Sequence, residues 1–502
     1  MGLNNKGFAI STILYSLLVM ATLIIFLLIG NFSFERRTTS NLVTNIESGL
    51  NDFAKSHHSN PDPNPDEPSS LSEILLTYVG NNGGYYDDGT DTFITGENPN
   101  NYIWYSGKLW RAVSVNNEEK TTKLVTQDNI SSISFDDNSN IFSGSNIEMW
   151  LNDTSADGFL GNLRNPESFI KMDSKWNATA SSGVSSGLDN TTIVEDAVGL
   201  LSIYEYDRTN NLSGYLDNQL DWWTITPLAN YTTAVYSVSY YRSGSGVIYS
   251  YDTKTAKGVR PAINIKADIN IASGSGTEED PYRLEGDNDE DISGTKLNTR
   301  YSGEYIKFGT KENVLYRIVS HETENLTKIT SANTLNYRSI FGTSPTFATS
   351  TVYTFLNAYA YYEDYLTNDE VNMIEDSTTW YLGTVDNGAN YRLAKYNDID
   401  MTSLTTNTIN AKVGLLRVGE LMCSQQNTSY SSYLENGYWL LTPAALDSIY
   451  YINGYGNIDT INFRSSGGSE TLLVKPTFNL KENVIITGGD GTLQNPFTVA
   501  LS

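Results

Sequence analysis

The chain is 502 residues long and carries 58 acidic against 32 basic side chains, a formal net charge of −26. That acidity argues against binding nucleic acid or an anionic membrane surface through a basic face, and a single cysteine, Cys423, excludes an intramolecular disulfide. At this length stability must come from more than one packed core; 34 tyrosines and 8 tryptophans among abundant Asn, Ser, Thr and Gly favour strands and polar turns.

In chain order, the first element is apolar. Residues 8–29 include no charged side chain, a run long enough to cross a hydrocarbon core. Leu42, Ile46, Leu50 and Phe53 continue an apolar stripe at helical steps. One helix is therefore expected over 8–55, about 70 Å long at 1.5 Å per residue. Its start, Lys6-Gly7-Phe8, resembles the processing site of type IV pilin-like proteins, in which a prepilin peptidase cuts after a glycine preceded by a basic residue. The resemblance implies a leader over 1–7, Phe8 as the mature first residue, and prepilin peptidase and other pilin-like subunits as partners. Pilins usually carry glutamate at the fifth mature position, where this chain has Thr12. That departure argues against a major, self-stacking pilin and leaves a minor or tip-like subunit, or a plain membrane anchor. An uncleaved signal anchor stays open beside processing. Both readings imply a single-pass cell-membrane protein, held in the membrane by this helix, with its C-terminal region exported to the cell surface or a pilus.

A Pro/Asp-rich linker over 56–70 comes next. Its four prolines, in Ser59-Asn-Pro-Asp-Pro-Asn-Pro-Asp-Glu-Pro68, cannot continue a helix. His57-His58 has no Cys or third His nearby and reads as part of this solvated stretch. A second break, over 286–299, is acidic. Asp287, Asp289 and Asp291 alternate as in some calcium loops, but Asn298 stands where a bidentate glutamate belongs. An inter-domain linker is the preferred reading, with calcium as an open alternative and no other cofactor implied.

Between and after these breaks the sequence repeats itself. Tyr102-Ile-Trp-Tyr recurs as Tyr305-Ile-Lys-Phe, and Met149-Trp-Leu-Asn152 as Thr354-Phe-Leu-Asn357. Val198-Gly-Leu-Leu201 matches Val413-Gly-Leu-Leu416, and Trp222-Trp-Thr-Ile-Thr-Pro227 answers Tyr438-Trp-Leu-Leu-Thr-Pro443. Gly258-Val-Arg-Pro-Ala-Ile-Asn264 answers Leu473-Val-Lys-Pro-Thr-Phe-Asn479, and the interval from Pro261 to Pro281 equals that from Pro476 to Pro496. This ordered series implies two homologous modules, 71–285 and 300–502. The stretches 109–115 and 122–126 alternate about Asn116-Asn117 as in a hairpin, while 147–152 and 352–366 have helical character. The fold class expected is α+β: a long N-terminal transmembrane, pilin-like helix, then two strand-rich modules with twisted, mainly antiparallel sheets.

The repeated motifs resemble a family of extracellular modules of low-GC Gram-positive bacteria, with a Trp-bearing Thr/Ser-Pro element followed by Val-Arg-Pro-Ala. The order of elements is also similar, more distantly, to the C-type-lectin-like and formylglycine-generating-enzyme group. Lys475 replaces Arg260 in the second copy, so that cation has no bidentate role common to both.

Little in the sequence points to catalysis. His321 is the one histidine outside the first linker, Cys423 follows an apolar run and reads as a buried thiol, and the reactive cysteines of a formylglycine-generating enzyme are missing. Which carboxylates face one another is not legible, so a glycan-acting enzyme remains a third alternative. Trp110, Arg111, Trp222, Trp223, Pro227, Arg260, Pro261, Arg317, Trp439, Pro443, Lys475 and Pro476 belong to repeated motifs and read as module cores. The ligand-binding candidates are tyrosines near turns that differ between copies: Tyr231, Tyr236, Tyr240, Tyr241, Tyr249, Tyr450, Tyr451 and Tyr455. Ordinary sheet tyrosine is the alternative for each. The function expected is a surface-displayed, membrane-anchored, pilin-like adhesin or binding protein with two lectin-like modules and an extracellular glycan or protein ligand. A structural minor pilin or pseudopilin subunit for type IV filament assembly is the runner-up.

Overall fold

A computed structural model of the chain describes residues 69–502 except 83, 156–157, 184–190, 211–213, 241–245, 288–291, 311–313, 322–324, 384–406, 419, 421–436, 446, 455 and 464–468. The chain divides into Met1–Glu67 and Pro68–Ser502, and all described residues fall in the second unit. The helix expected over 8–55 and its processing residues Lys6, Gly7 and Phe8 lie outside the described residues. Among the described residues no helix is long and apolar enough to cross a membrane, and Leu71–Asn82, at 12 residues, is the longest. The fold class is corrected accordingly: the described chain is strand-rich with short helices, not an α+β chain led by a long membrane helix. The single-pass membrane location, which rested on that helix, is withdrawn with it.

Each module is built on two sheets in the same strand order. In the first module the main sheet runs Tyr102–Tyr105, Lys108–Asn116, Thr122–Thr126, Ala262–Ile265, Val198–Gly199. In the second it runs Tyr305–Lys307, Leu315–Ser320, Thr327–Ser331, Thr477–Leu480, Val413–Gly414. The second sheets correspond too: Val247–Asp252, Ala234–Ser239, Trp222–Pro227, Lys257–Val259, Ser131–Ile133 against Ile458–Asn462, Ser448–Ile452, Tyr438–Ala445, Thr471–Val474, Leu335–Ile340. Even the parallel pairing recurs, Trp222 opposite Gly258 and Tyr438 opposite Leu473.

The local devices are duplicated as well. Ser145 caps the helix Asn146–Leu151 and Ser350 caps Thr351–Leu356, each side chain accepting a backbone N–H of the first turn. The C-terminal residues Asn152 and Asn357 then bond both backbone groups of Val198 and Val413. Trp223 and Trp439 are buried and donate their indole N–H to Ile133 O and Ser339 O. Burial of side chains this large stabilises each core by roughly 1.5–3 kcal/mol apiece, and the indole bonds remove the penalty of a hidden donor.

The first module carries an extra element, the hairpin Tyr85–Asp87 and Asp91–Ile94, joined to the main sheet through Lys108–Asn116; it has no counterpart among the described residues of the second. The modules also touch. Trp104 stacks on Tyr305 at 6.1 Å, Lys108 Nζ donates to Ser302 O at 3.0 Å, and Ile458 N–H donates to Ser132 Oγ at 3.0 Å. The end of the acidic segment is packed rather than free: Leu297 is buried in the second core, and Gly294 N–H bonds Ile486 O.

Candidate functional site

The added hairpin extends the main sheet and turns one face of it into a cleft. Phe93 stands opposite Ser114, Ser114 opposite Lys123, and Lys123 opposite Asn264. Residues paired in this way project from the same face, so the four form a row across the floor. Asp91 and Asn116 form a second row, with Asn116 Nδ2 donating to Asp91 Oδ1 at 3.0 Å. The helix Ile203–Asn210 supplies one wall through Tyr204 and Glu205, and the hairpin Ser174–Asn177 with Ile193–Asp196 another through Lys175 and Ile193. The space enclosed is about 430 Å³.

Its charges are mixed. Lys123 Nζ forms an ion pair with Glu205 Oε1 and lies 5.2 Å from the Trp176 ring. Glu205 Oε2 accepts the Ser202 N–H at 2.7 Å and the Ser202 hydroxyl at 2.8 Å. Burial acts to lower the Lys123 pKa, but the charges of Glu205 and Asp91 outweigh it and hold the ammonium above its ordinary value. Burial raises the Asp91 carboxyl, against the Lys123 charge. Tyr204 donates to Asp88 Oδ2 at 3.0 Å, and burial together with that bond pushes it up to about 12. At one end Lys171 pairs with Glu119 at 2.5 Å. Such a surface offers amides, hydroxyls, carboxylates and ammonium groups at close quarters, the complement of a polar, many-hydroxyl ligand.

The same constellation recurs in the second module, closed. Ser320 is opposite Lys328 and Lys328 opposite Asn479. Lys328 pairs with Glu420 at 2.5 Å and lies 5.5 Å from the Trp380 ring, while Glu420 Oε2 accepts the Arg417 N–H at 2.7 Å. The Lys328 and Glu420 side chains are 6% and 0% exposed, against 12% and 13% for Lys123 and Glu205. One copy of the site is open to solvent and the other is not.

The residues singled out in the sequence fall elsewhere. Trp110, Arg111, Trp222, Trp223, Arg260, Arg317, Trp439 and Lys475 are buried, as are Pro227, Pro261, Pro443 and Pro476. Arg111 lies 3.6 Å over Tyr102 and Arg317 4.6 Å over Tyr305, while Arg260 lies 4.8 Å over Trp222 and Lys475 5.1 Å over Tyr438. Among the tyrosines, Tyr231 and Tyr249 are exposed and Tyr240 is half-buried. Tyr236, Tyr450 and Tyr451 are buried, which corrects their reading as ligand contacts. Ser448–Ile452 is covered on both faces: Ile449 and Tyr451 enter the second module's core, and Tyr450 and Ile452 a separate cluster with Val319 and Ala256. Tyr241 and Tyr455 lie outside the described residues, and none of the described tyrosine candidates lines the cleft.

Asp287 is buried, accepts the Ser106 N–H at 3.2 Å and faces Arg164 at 3.8 Å. Its proposed calcium companions Asp289 and Asp291 lie outside the described residues, as does Cys423. Among the described residues no group of three His, Cys, Asp or Glu side chains is placed to hold a metal.

The cleft residues Lys123, Glu205 and Asn264, and their equivalents Lys328, Glu420 and Asn479, were not singled out by sequence reasoning. A signal was present. Thr122-Lys123 aligns with Thr327-Lys328, the Gly-Leu-Leu motif runs on to Glu205 and to Glu420 at the same interval, and Asn264 and Asn479 end a matched motif. No family model, curated protein or solved structure matches the chain.

Proposed function

We propose that this chain is a ligand-capturing protein without catalytic activity, whose first module takes a neutral or amino-bearing glycan in the cleft over Ser114, Lys123 and Asn264. The observation that carries the reading is the cleft itself, about 430 Å³ lined by amide, hydroxyl, carboxylate and ammonium groups. Sugar hydroxyls both donate and accept, and a mixed lining of this kind serves both roles. A net charge of −26 disfavours a polyanionic glycan. Catalysis finds no support in the same groups. Glu205 has one oxygen on Lys123 and the other on Ser202, so it is neither a free base nor a free nucleophile. Lys123, held above its ordinary pKa, keeps its proton.

The test applies full-length protein to an array of neutral, amino-bearing and acidic glycans, then follows the best binder by calorimetry. Saturable binding of a neutral or amino sugar is expected, weakened about tenfold by Lys175→Ala, the loss of one hydrogen bond from an exposed cleft side chain. Absence of any binder, affinity unchanged in that variant, or release of new reducing ends would overturn the reading.

A further inference from the structure

The closed copy of the site brings an amine, a carboxamide and a carboxylate into one dry spot. Lys328 and Asn479 are directly opposed on neighbouring antiparallel strands, which sets their Cβ atoms about 5 Å apart on one face of the sheet. Glu420 meets Lys328 Nζ at 2.5 Å, and the Trp380 ring lies 5.5 Å from Nζ. Lys328, Glu420 and Asn479 are each 5% exposed or less. Among the described residues the amide nitrogen of Asn479 has no hydrogen-bond partner. Neither feature serves stability well: a buried donor left unpaired is costly, and a buried ion pair gains little over apolar residues of the same size. Together they are the reactants of an acyl transfer.

From this juxtaposition we infer that Lys328 and Asn479 join in an intramolecular isopeptide bond, with Glu420 carrying the protons. Away from solvent the neutral pair gains on the ion pair, so Nζ passes one proton to Glu420 and becomes a nucleophile. The amine attacks Asn479 Cγ, and the carbonyl oxygen takes the displaced electron pair. Glu420 hands its proton to Nδ2 and receives the second proton of Nζ. The Cγ–Nδ2 bond breaks and ammonia leaves. The products are the amide between Nζ and Cγ, one ammonia and a protonated Glu420, which balances the starting ammonium, carboxamide and carboxylate. The unpartnered Nδ2 is the leaving group.

The first module's equivalents Lys123, Glu205 and Asn264 border an open cleft, where water solvates the ammonium and favours the ion pair; the inference concerns the second triad alone. Its effect is to tie Thr327–Ser331 to Thr477–Leu480 across a long closed loop, which restricts the unfolded chain as a disulfide does. With one cysteine the chain has no disulfide of its own to do this.

Full-length protein is denatured, digested and mapped by mass spectrometry. A branched peptide containing Lys328 and Asn479, lighter than its two parts by one ammonia, is expected, and Glu420→Gln should yield the two parts unjoined. Separate peptides with intact Lys328 and Asn479 in the wild-type protein would overturn the inference whether or not the variant folds. Asn479→Asp supplies a further check, because the same joined peptide should then form with loss of water.

Discussion

The indole of Trp380 lies against the α-carbon of Gly414: a Cβ added to that glycine would come within 2.5 Å of Trp380 Cδ2. Gly199 and Trp176 stand in the same relation, with a Cβ at 2.3 Å. Each indole N–H is anchored on a backbone carbonyl, that of Asp196 or Ala411, at 2.9 Å, so the ring has little room to retreat. Gly199→Ala and Gly414→Ala should each cost about 1–3 kcal/mol through overpacking. Gly80, in the helix Leu71–Asn82, has nothing within 4 Å of an added Cβ. Gly80→Ala should instead gain about 0.5–1 kcal/mol. Denaturant unfolding of the three variants checks the contrast.

The two Lys–Glu pairs are chemically alike and differ in exposure, 6% and 0% against 12% and 13%. With Lys328 joined to Asn479 and Glu420 protonated, Lys328→Met removes the cross-link and leaves both residues buried without their partner. Lys328→Met is therefore expected to cost about 3–5 kcal/mol. Lys123→Met should cost less, because Glu205 keeps its bonds to Ser202 and some exposure to the cleft. Thermal unfolding of both variants decides, and equal losses would mean that the closed site adds nothing to stability.

The modules meet through backbone as well as side chains. Gly107 has φ +71°, and a Cβ there would fall 2.8 Å from Ser302 O; Arg317 Nη2 reaches Gly107 O at 3.3 Å. Gly107→Ala combines a left-handed conformation costing about 1–2 kcal/mol with that clash. Scanning calorimetry of the wild type is expected to show the modules melting together. In the variant the transition should split in two, with neither module's core altered.

The duplication was legible because its carriers are residues with one packing solution: Trp223 and Trp439, Pro261 and Pro476, Gly199 and Gly414 keep their places when neighbours change. The cleft was not, for a physical reason. Lys123, Glu205 and Asn264 come from separate elements, and only the pairing of strands brings them together. In the sequence each reads as an ordinary surface side chain. Tyr450 and Tyr451 misled in another way. A strand covered on both faces loses the alternation that distinguishes inside from outside, and consecutive tyrosines then look like a display surface. The long helix over 8–55 rested on an uncharged apolar run, helical periodicity and a resemblance at its start, with no long-range contact legible to support it.

Three carboxylates, Asp287 buried and Asp128 and Asp196 half-buried, set the pH response. Asp128, Asp196 and Asp287 each move from an ordinary 3.8 to about 6. Burial is the main cause in all three. Arg260 and Arg317 oppose it at Asp128, the Ser106 N–H and Arg164 oppose it at Asp287, and Glu148 adds to it at Asp196. A carboxyl whose folded pKa lies above its unfolded value binds more protons in the folded state over the interval between the two. Stability from these groups is therefore greatest below about pH 4, falls as pH rises through about 6, and levels off beyond. Asp376, held below 3.8 by Lys412, acts in the opposite sense but at still lower pH. Urea unfolding at steps from pH 4 to pH 7 should show a declining midpoint. Asp287→Asn, which keeps the shape and removes the charge, should flatten part of that slope; a midpoint that rises over the same interval would show that these carboxyls ionise without penalty.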